Sequence, residues 1–109
     1  MTEPLAGLRV VEFGQLLAGP YVGTLLGDFG AEVVKVEAPP QGDPMRDWGR
    51  LRHNDRSLWW SILARNKRSV ALNLREPEGQ EIAKQLADGA DIILENFRPG
   101  TMEKWGLGP

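Results

Sequence analysis

Cysteine is absent from the 109 residues. That removes disulfides, thiolate metal sites and a cysteine nucleophile together, and it suits a reducing compartment, so a cytoplasmic location is expected. Histidine occurs once, at His53, so a transition-metal site would need an all-carboxylate set. A Ser-His-Asp triad would have to use that same histidine, and no G-x-S-x-G elbow accompanies it. No apolar run approaches the roughly 18 residues that cross a bilayer. Met1-Thr2-Glu3-Pro4 has neither a basic nor an apolar leader region, so no secretory signal is expected. Charge of one sign is lacking too: 13 basic against 15 acidic residues give a formal charge of -2, which calls for no polyanionic partner. The glycine loops of nucleotide binders are also missing. There is no G-x-x-x-x-G-K-[ST], and Gly14, Gly19 and Gly23 do not make the G-x-G-x-x-G fingerprint, although Glu37 stands where that fingerprint wants its acid.

What is present reads as strand, loop, helix, strand. Leu8 to Phe13 is short and β-branched, and it ends at Gly14. Pro20 suits the first position of a helix, Tyr21, Val22, Leu25, Leu26 and Phe29 make an apolar stripe, and Gly30 suits its stop. Ala31 to Glu37 supplies the second strand, which a helical crossover should pair parallel to the first. Ala38 to Pro44 is turn chemistry, and residues 45–56 read as an ordered loop carrying Trp48. Ser57 caps a short helix from Leu58 to about Arg65, and Ser69 to Leu74 alternates as a third strand. Pro77 opens a helix whose buried stripe is Ile82, Ala83, Leu86 and Ala87, with Gly89 as its stop. Asp91 to Glu95 is a fourth strand; Asn96 to Gly100 leaves it, and a short helix lies around Met102 to Trp105. The class is α/β, an open, mainly parallel sheet with flanking helices, and loops at the carboxyl ends of its strands are where such sheets bind ligands.

Seven of the 13 basic residues lie between Arg46 and Arg68, interleaved with Asp47 and Asp55 and preceded by Asp43. The segment is either a solvated face or a surface that meets phosphates. Nucleic acid is disfavoured by the interleaved acids and the negative total. Gly106-Leu107-Gly108-Pro109 reads as a stop and turn leading into a further element, so the residues are expected to be the front part of something longer.

A set of phrases carries a more specific signal. Leu5-Ala6-Gly7-Leu8-Arg9-Val10-Val11-Glu12-Phe13 leads to Leu17-Ala18-Gly19-Pro20, then Asp28-Phe29-Gly30-Ala31-Glu32-Val33-Val34-Lys35-Val36-Glu37 and Gly42-Asp43-Pro44. Asn66-Lys67-Arg68-Ser69, Leu72-Asn73-Leu74, Pro77-Glu78-Gly79 and Glu95-Asn96-Phe97-Arg98-Pro99-Gly100 follow in order. From Leu5 to Pro109 the chain closely resembles the start of the class III CoA-transferase family, which includes formyl-CoA:oxalate and carnitine CoA-transferases and α-methylacyl-CoA racemases.

The resemblance implies the first part of a Rossmann-like large domain, with the rest of that domain and a small domain absent, and an interlocked homodimer for the full-length protein. It implies coenzyme A or acyl-CoA as a substrate rather than a tightly bound cofactor, with a carboxylic acid as acceptor, and neither membrane nor nucleic acid as partner. Carried over by motif, the coenzyme site comprises Leu16, Leu17 and Ala18, the run Leu72, Asn73, Leu74 and Arg75, the exit residues Asn96, Phe97 and Arg98, and Lys104. Five of these also have a plainer reading: core packing for Phe97, a loop anchor for Leu16 and Leu17, and surface charge for Arg75 and Lys104. Gln15, Trp48 and Trp59 are substrate-side candidates, Trp59 equally a packing residue.

The sequence departs from some relatives at Ala38, where they carry a basic residue, and at Leu17, where some formyl-CoA enzymes carry Gln while this chain has Gln15 two residues earlier, which counts against oxalate or formyl specificity. The family's nucleophile is an aspartate that attacks the thioester. It is expected downstream of Pro109, and none of the carboxylates present sits in its motif. The expectation is therefore a CoA-transferase fragment without its nucleophile. The alternatives are an acyl-CoA racemase of the same fold and a non-catalytic CoA- or nucleotide-binding fragment.

Overall fold

A computed structural model describes residues 3–109; Met1 and Thr2, the start of the segment read above for a leader, lie outside them. The elements in order are β1 (Arg9–Glu12), α1 (Ala18–Asp28), β2 (Glu32–Glu37), a 3-10 turn (Pro44–Asp47), β3 (Arg52–His53), β4 (Arg56–Ser57), α2 (Leu58–Leu63), β5 (Lys67–Ala71), α3 (Pro77–Asp88), β6 (Ile92–Leu94) and α4 (Thr101–Lys104). No helix among the described residues is long and apolar enough to cross a membrane.

Four strands make one parallel sheet in the order β5-β2-β1-β6, with Val10 opposite both Val33 and Ile92. The chain therefore steps outward from β1 to β2 to β5, then returns to the other side of β1 for β6. The reversal lies between β1 and β6, the topological switch point where open α/β sheets leave a crevice. Alternation of side chains across the sheet gives it two different faces. Val11, Phe13 and Val36 point to the side covered by α3 and α4, and form the main core with Leu72, Leu74, Ala83 and Met102. Val10 and Val33 point to the α1 side, where Ala31, Leu26 and Leu8 join them.

Local chemistry explains most boundaries. Gly30, at φ 106°, ends α1 with the N–H of Gly30 on Gly27 and that of Ala31 on Leu26, the paired bonds of a Schellman stop. Ser57 caps α2, its hydroxyl accepting from Trp60 N. Pro77 opens α3 as expected, but α1 begins two residues before Pro20, at Ala18. That costs nothing, because the N–H that proline lacks has no partner anywhere in the first turn.

Three expectations need correction. Tyr21, Val22, Leu25 and Phe29 do not face the sheet; they are exposed, and α1 buries Gly19, Pro20, Gly23, Thr24 and Gly27. The small residues win because the sheet beneath carries the charged ends of Glu12, Lys35 and Lys67, which a larger side chain would displace; a Cβ on Gly23 would overlap the Glu12 carboxylate. Ile82 likewise lies outside the buried stripe of α3, which turns Gly79 and Ala83 inward. Finally, the loop before α2 contains a small antiparallel hairpin, β3 with β4. Asn54 and Asp55 both have positive φ, 52° and 61°, the geometry of a two-residue type I′ turn.

Candidate functional site

The site lies at the carboxyl ends of the parallel strands. β1 runs out into Phe13-Gly14-Gln15 and β6 into Glu95-Asn96-Phe97, and these neighbouring corners are stitched together. Gln15 N–H donates to Asn96 Oδ1 at 2.9 Å, and Asn96 Nδ2 returns a bond to the Gln15 carbonyl at 2.9 Å. Gly14 permits this closeness, since a Cβ there would overlap the Asn96 side-chain amide. Beside the joined corners opens a cleft of about 350 Å3 lined by Phe13, Gly14, Gln15, Val36–Pro39, Asp43, Leu72–Arg75, Phe97 and Trp105. That volume falls in the range of small-molecule sites.

The cleft gathers part of the expected set. Gln15, Leu72, Asn73, Leu74, Arg75 and Phe97 all line it. Leu72 and Leu74 are buried core residues, so they offer the cleft a wall, while Asn73 and Arg75 are exposed and polar. Phe97 meets Trp105 edge to face, centroids 5.3 Å apart at 84°, which leaves an aromatic wall for a flat ring. Leu16 and Leu17, in the turn into α1, and Ala18, its first residue, do not line the cleft. Asn96 acts on the loop rather than on the cleft surface. Arg98 and Lys104 are exposed and lie outside the lining.

Trp48 and Trp59 stand away from this cleft. Their rings pack edge to face at 5.4 Å, and Trp59 borders a separate, largely apolar groove with Gly49, Arg50, Leu51, Leu58 and Ile62.

The second loop supplies what the sequence did not announce. Asp43, 2% exposed, accepts N–H bonds from Leu16 at 3.1 and 3.2 Å and from Met45 at 2.9 Å. Its other close partner is Lys35, whose Nζ is 2.8 Å from Asp43 Oδ2 and 2.6 Å from Glu12 Oε2. Lys67 Nζ lies 2.7 Å from Glu12 Oε1 and donates to the Pro20 carbonyl at 2.6 Å. Two acids and two lysines thus balance inside the protein, beneath the first turn of α1. Burial pulls the Lys67 ammonium below its ordinary pKa, against the pull of Glu12. The signal was legible in retrospect: a lysine midway along an apolar strand, flanked on neighbouring strands by Glu12 and Lys67.

Glu37, weighed in the sequence as a ribose acid, is already fully engaged. It accepts from Asp43 N at 2.8 Å and from Arg46 Nε and Nη2 at 2.8 and 2.7 Å, and it is bonded by the Ser69 hydroxyl. Burial pushes its pKa up, but the Arg46 fork, the Asp43 N–H and Ser69 outweigh that and bring it down from 4.5 to about 2. Arg46 in turn lies 4.0 Å over the Trp60 ring. Much of the basic segment is spent in this way: Arg52 pairs with Asp47, Arg65 with Asp28, and Arg68 with Glu32. The solvated-face reading of that segment is the one these pairs favour.

The parallel sheet, the crevice at its point of reversal and the two stitched loops define an α/β protein with a candidate ligand cleft at the carboxyl ends of its strands. The chain belongs to CoA-transferase family III, whose model matches residues 5–109. Among its relatives, the succinyl-CoA–D-citramalate CoA-transferase of Chloroflexus aurantiacus is 61% identical over 106 residues, 97% of this chain and 26% of that protein. The succinyl-CoA:glutarate CoA-transferase of Mus musculus is 43% identical over 97% of this chain and 24% of its own length. A CaiB/BaiF family protein from Brucella suis superposes with a TM-score of 0.91 at 42% identity, over 100% of this chain and 30% of that one. The chain thus spans about a quarter of the length of the curated relatives it matches.

Proposed function

We propose that these residues form the first part of the coenzyme-binding domain of a CoA-transferase, one that moves coenzyme A from succinyl-CoA to a short carboxylic acid. The donor is suggested by relatives named for succinyl-CoA at 61% and 43% identity. The single observation that carries the reading is the juxtaposition of the Gln15 and Asn96 corners beside a cleft whose wall is Phe97 and Trp105 and whose rim is Asn73 and Arg75. An aromatic wall suits adenine, and a guanidinium at the rim suits phosphate. The pairs that hold Glu12, Asp43 and Glu37 occupy all three carboxylates, so none of these three is a free nucleophile for a thioester. The full-length protein would then act in the cytoplasm as a homodimer.

The reading is tested by titrating the 109-residue chain with coenzyme A and following its melting. Stabilisation should grow with ligand, reaching about 2.7 kcal/mol at a hundredfold excess over Kd, and Arg75→Ala should shift that dependence to higher concentration. Melting indifferent to coenzyme A would remove the proposal.

A further inference from the structure

We propose that Asp43 is the positioning residue of the site, setting the conformation of the Gln15–Ala18 corner, with Lys35 holding its carboxylate in place. The inference concerns how the corner is built; its consequence for ligand rests on the coenzyme reading above. Leu16 occupies φ 63°, a left-handed conformation that a leucine resists. A corner in that state needs an external restraint, and the only side chain bonded to the Leu16 N–H among the described residues is Asp43. Both Asp43 oxygens share that N–H, one of them also takes the Met45 N–H, and the other meets Lys35 at 2.8 Å.

Asp43 is itself fixed from behind. Its own N–H is bonded to Glu37, whose carboxylate is gripped by Arg46. Lys35 is fixed by Glu12 and also donates to the Gly14 carbonyl at 3.3 Å, one residue before Gln15. The bracket therefore touches the corner on both sides of Gln15, at Gly14 and at Leu16, while Asn96 holds Gln15 itself. Neither Asp43 nor Lys35 needs to meet the ligand to decide where the corner's backbone points.

The test uses the 109-residue chain and amide hydrogen exchange followed residue by residue. The amide oxygen in Asp43→Asn would still accept the Leu16 N–H, and Asp43→Ala alone leaves Lys35 and Lys67 facing one acid, so Asp43→Ala with Lys35→Met is the principal variant, because it removes the acceptor and keeps the buried charges balanced. The Leu16 amide should exchange at least tenfold faster in it, while Val11 and Val34 in the sheet keep their protection. Coenzyme A affinity should fall about tenfold in parallel. Unchanged protection at Leu16 would overturn the assignment. So would equal loss at every sheet amide, or failure of both the double and the single variant to fold, since either outcome makes Asp43 a general stabiliser. If the unsubstituted chain takes up no coenzyme A, the functional reading fails, yet the exchange comparison still decides the role of Asp43.

Discussion

The two faces of the sheet are solved by different physics. Toward α3 and α4 the strands present Val11, Phe13 and Val36 to Leu72, Leu74, Ala83 and Met102, an apolar core that needs shape and little else. Toward α1 they present Glu12 at the end of β1, Lys35 within β2 and Lys67 at the start of β5, with Asp43 closing the set, and Glu12, Lys35 and Asp43 are 0%, 1% and 2% exposed. Apolar burial is non-directional and tolerant of volume-conserving change. A dry charge network is neither: it repays desolvation only when every partner is in place. The apolar face can therefore hold the fold together, whereas the charged face can specify one geometry for the loops above it. The switch-point crevice stands at the boundary of the two.

The sharpest way to break this contrast is to remove one member of the charged set. Glu12→Gln strips both lysines of a partner and should destabilise the chain by about 3–5 kcal/mol, measured by denaturant unfolding. Adding Lys67→Met rebalances the charges and should recover a large part of that loss, a coupling that a double-mutant cycle reads directly. Leu74→Ala on the apolar face should cost less, about 2 kcal/mol, at the low end for leucine because one side of Leu74 already borders the open cleft. If Glu12→Gln proved milder than Leu74→Ala, the distinction between the faces would be lost.

How far the sequence revealed this depended on which face a residue served. The main strands and helices were legible because their punctuation is local: Gly30 for the Schellman stop, Ser57 for the cap, Pro77 for a helix start. The family phrases placed Leu16, Leu17 and Ala18 in one site with Asn96, whereas the residue that Asn96 holds is Gln15, which was read as a substrate-side candidate. The exposed Tyr21–Phe29 stripe was misread because periodicity reports amphipathicity without saying which side meets the sheet. A charged sheet face selected the glycine side instead. Asp43 and Trp105 were missed because their importance lies in partners about 27 and eight residues away along the chain, Leu16 and Phe97, and no spacing rule joins them. The hairpin was within reach: Asn54-Asp55 between two short polar runs is a turn signal, obscured by the absence of apolar alternation around it.

Acid sharpens the comparison next. Glu37 belongs to the α1 side of β2, and its folded pKa of about 2 lies below the 4.5 of an unperturbed glutamate. A depressed carboxylate stabilises the fold fully above the unfolded value, and that contribution is lost as pH falls from about 4.5 toward about 2. Melting temperature should decline across that window. In Arg46→Met, which removes the guanidinium fork, part of the decline should disappear, because the folded pKa moves back toward the unfolded one. An identical acid profile for the two proteins would mean that Glu37 is not held by Arg46 in solution.

The smallest effect should come from a pair whose geometry is as good as any in the molecule. Arg65 donates to Asp28 through Nε at 2.9 Å and Nη2 at 2.6 Å, a bidentate fork between α1 and the end of α2, but both side chains are substantially exposed. In water each ion is well solvated apart from the other, so the contact replaces hydration that was nearly as favourable, and salt screens what remains. Arg65→Gln should therefore leave the unfolding midpoint close to that of the unsubstituted chain, with any difference vanishing as ionic strength rises. A large, salt-independent loss would show that α1 and α2 rely on this fork, and would mean that distance rather than burial ranks the charges of this protein.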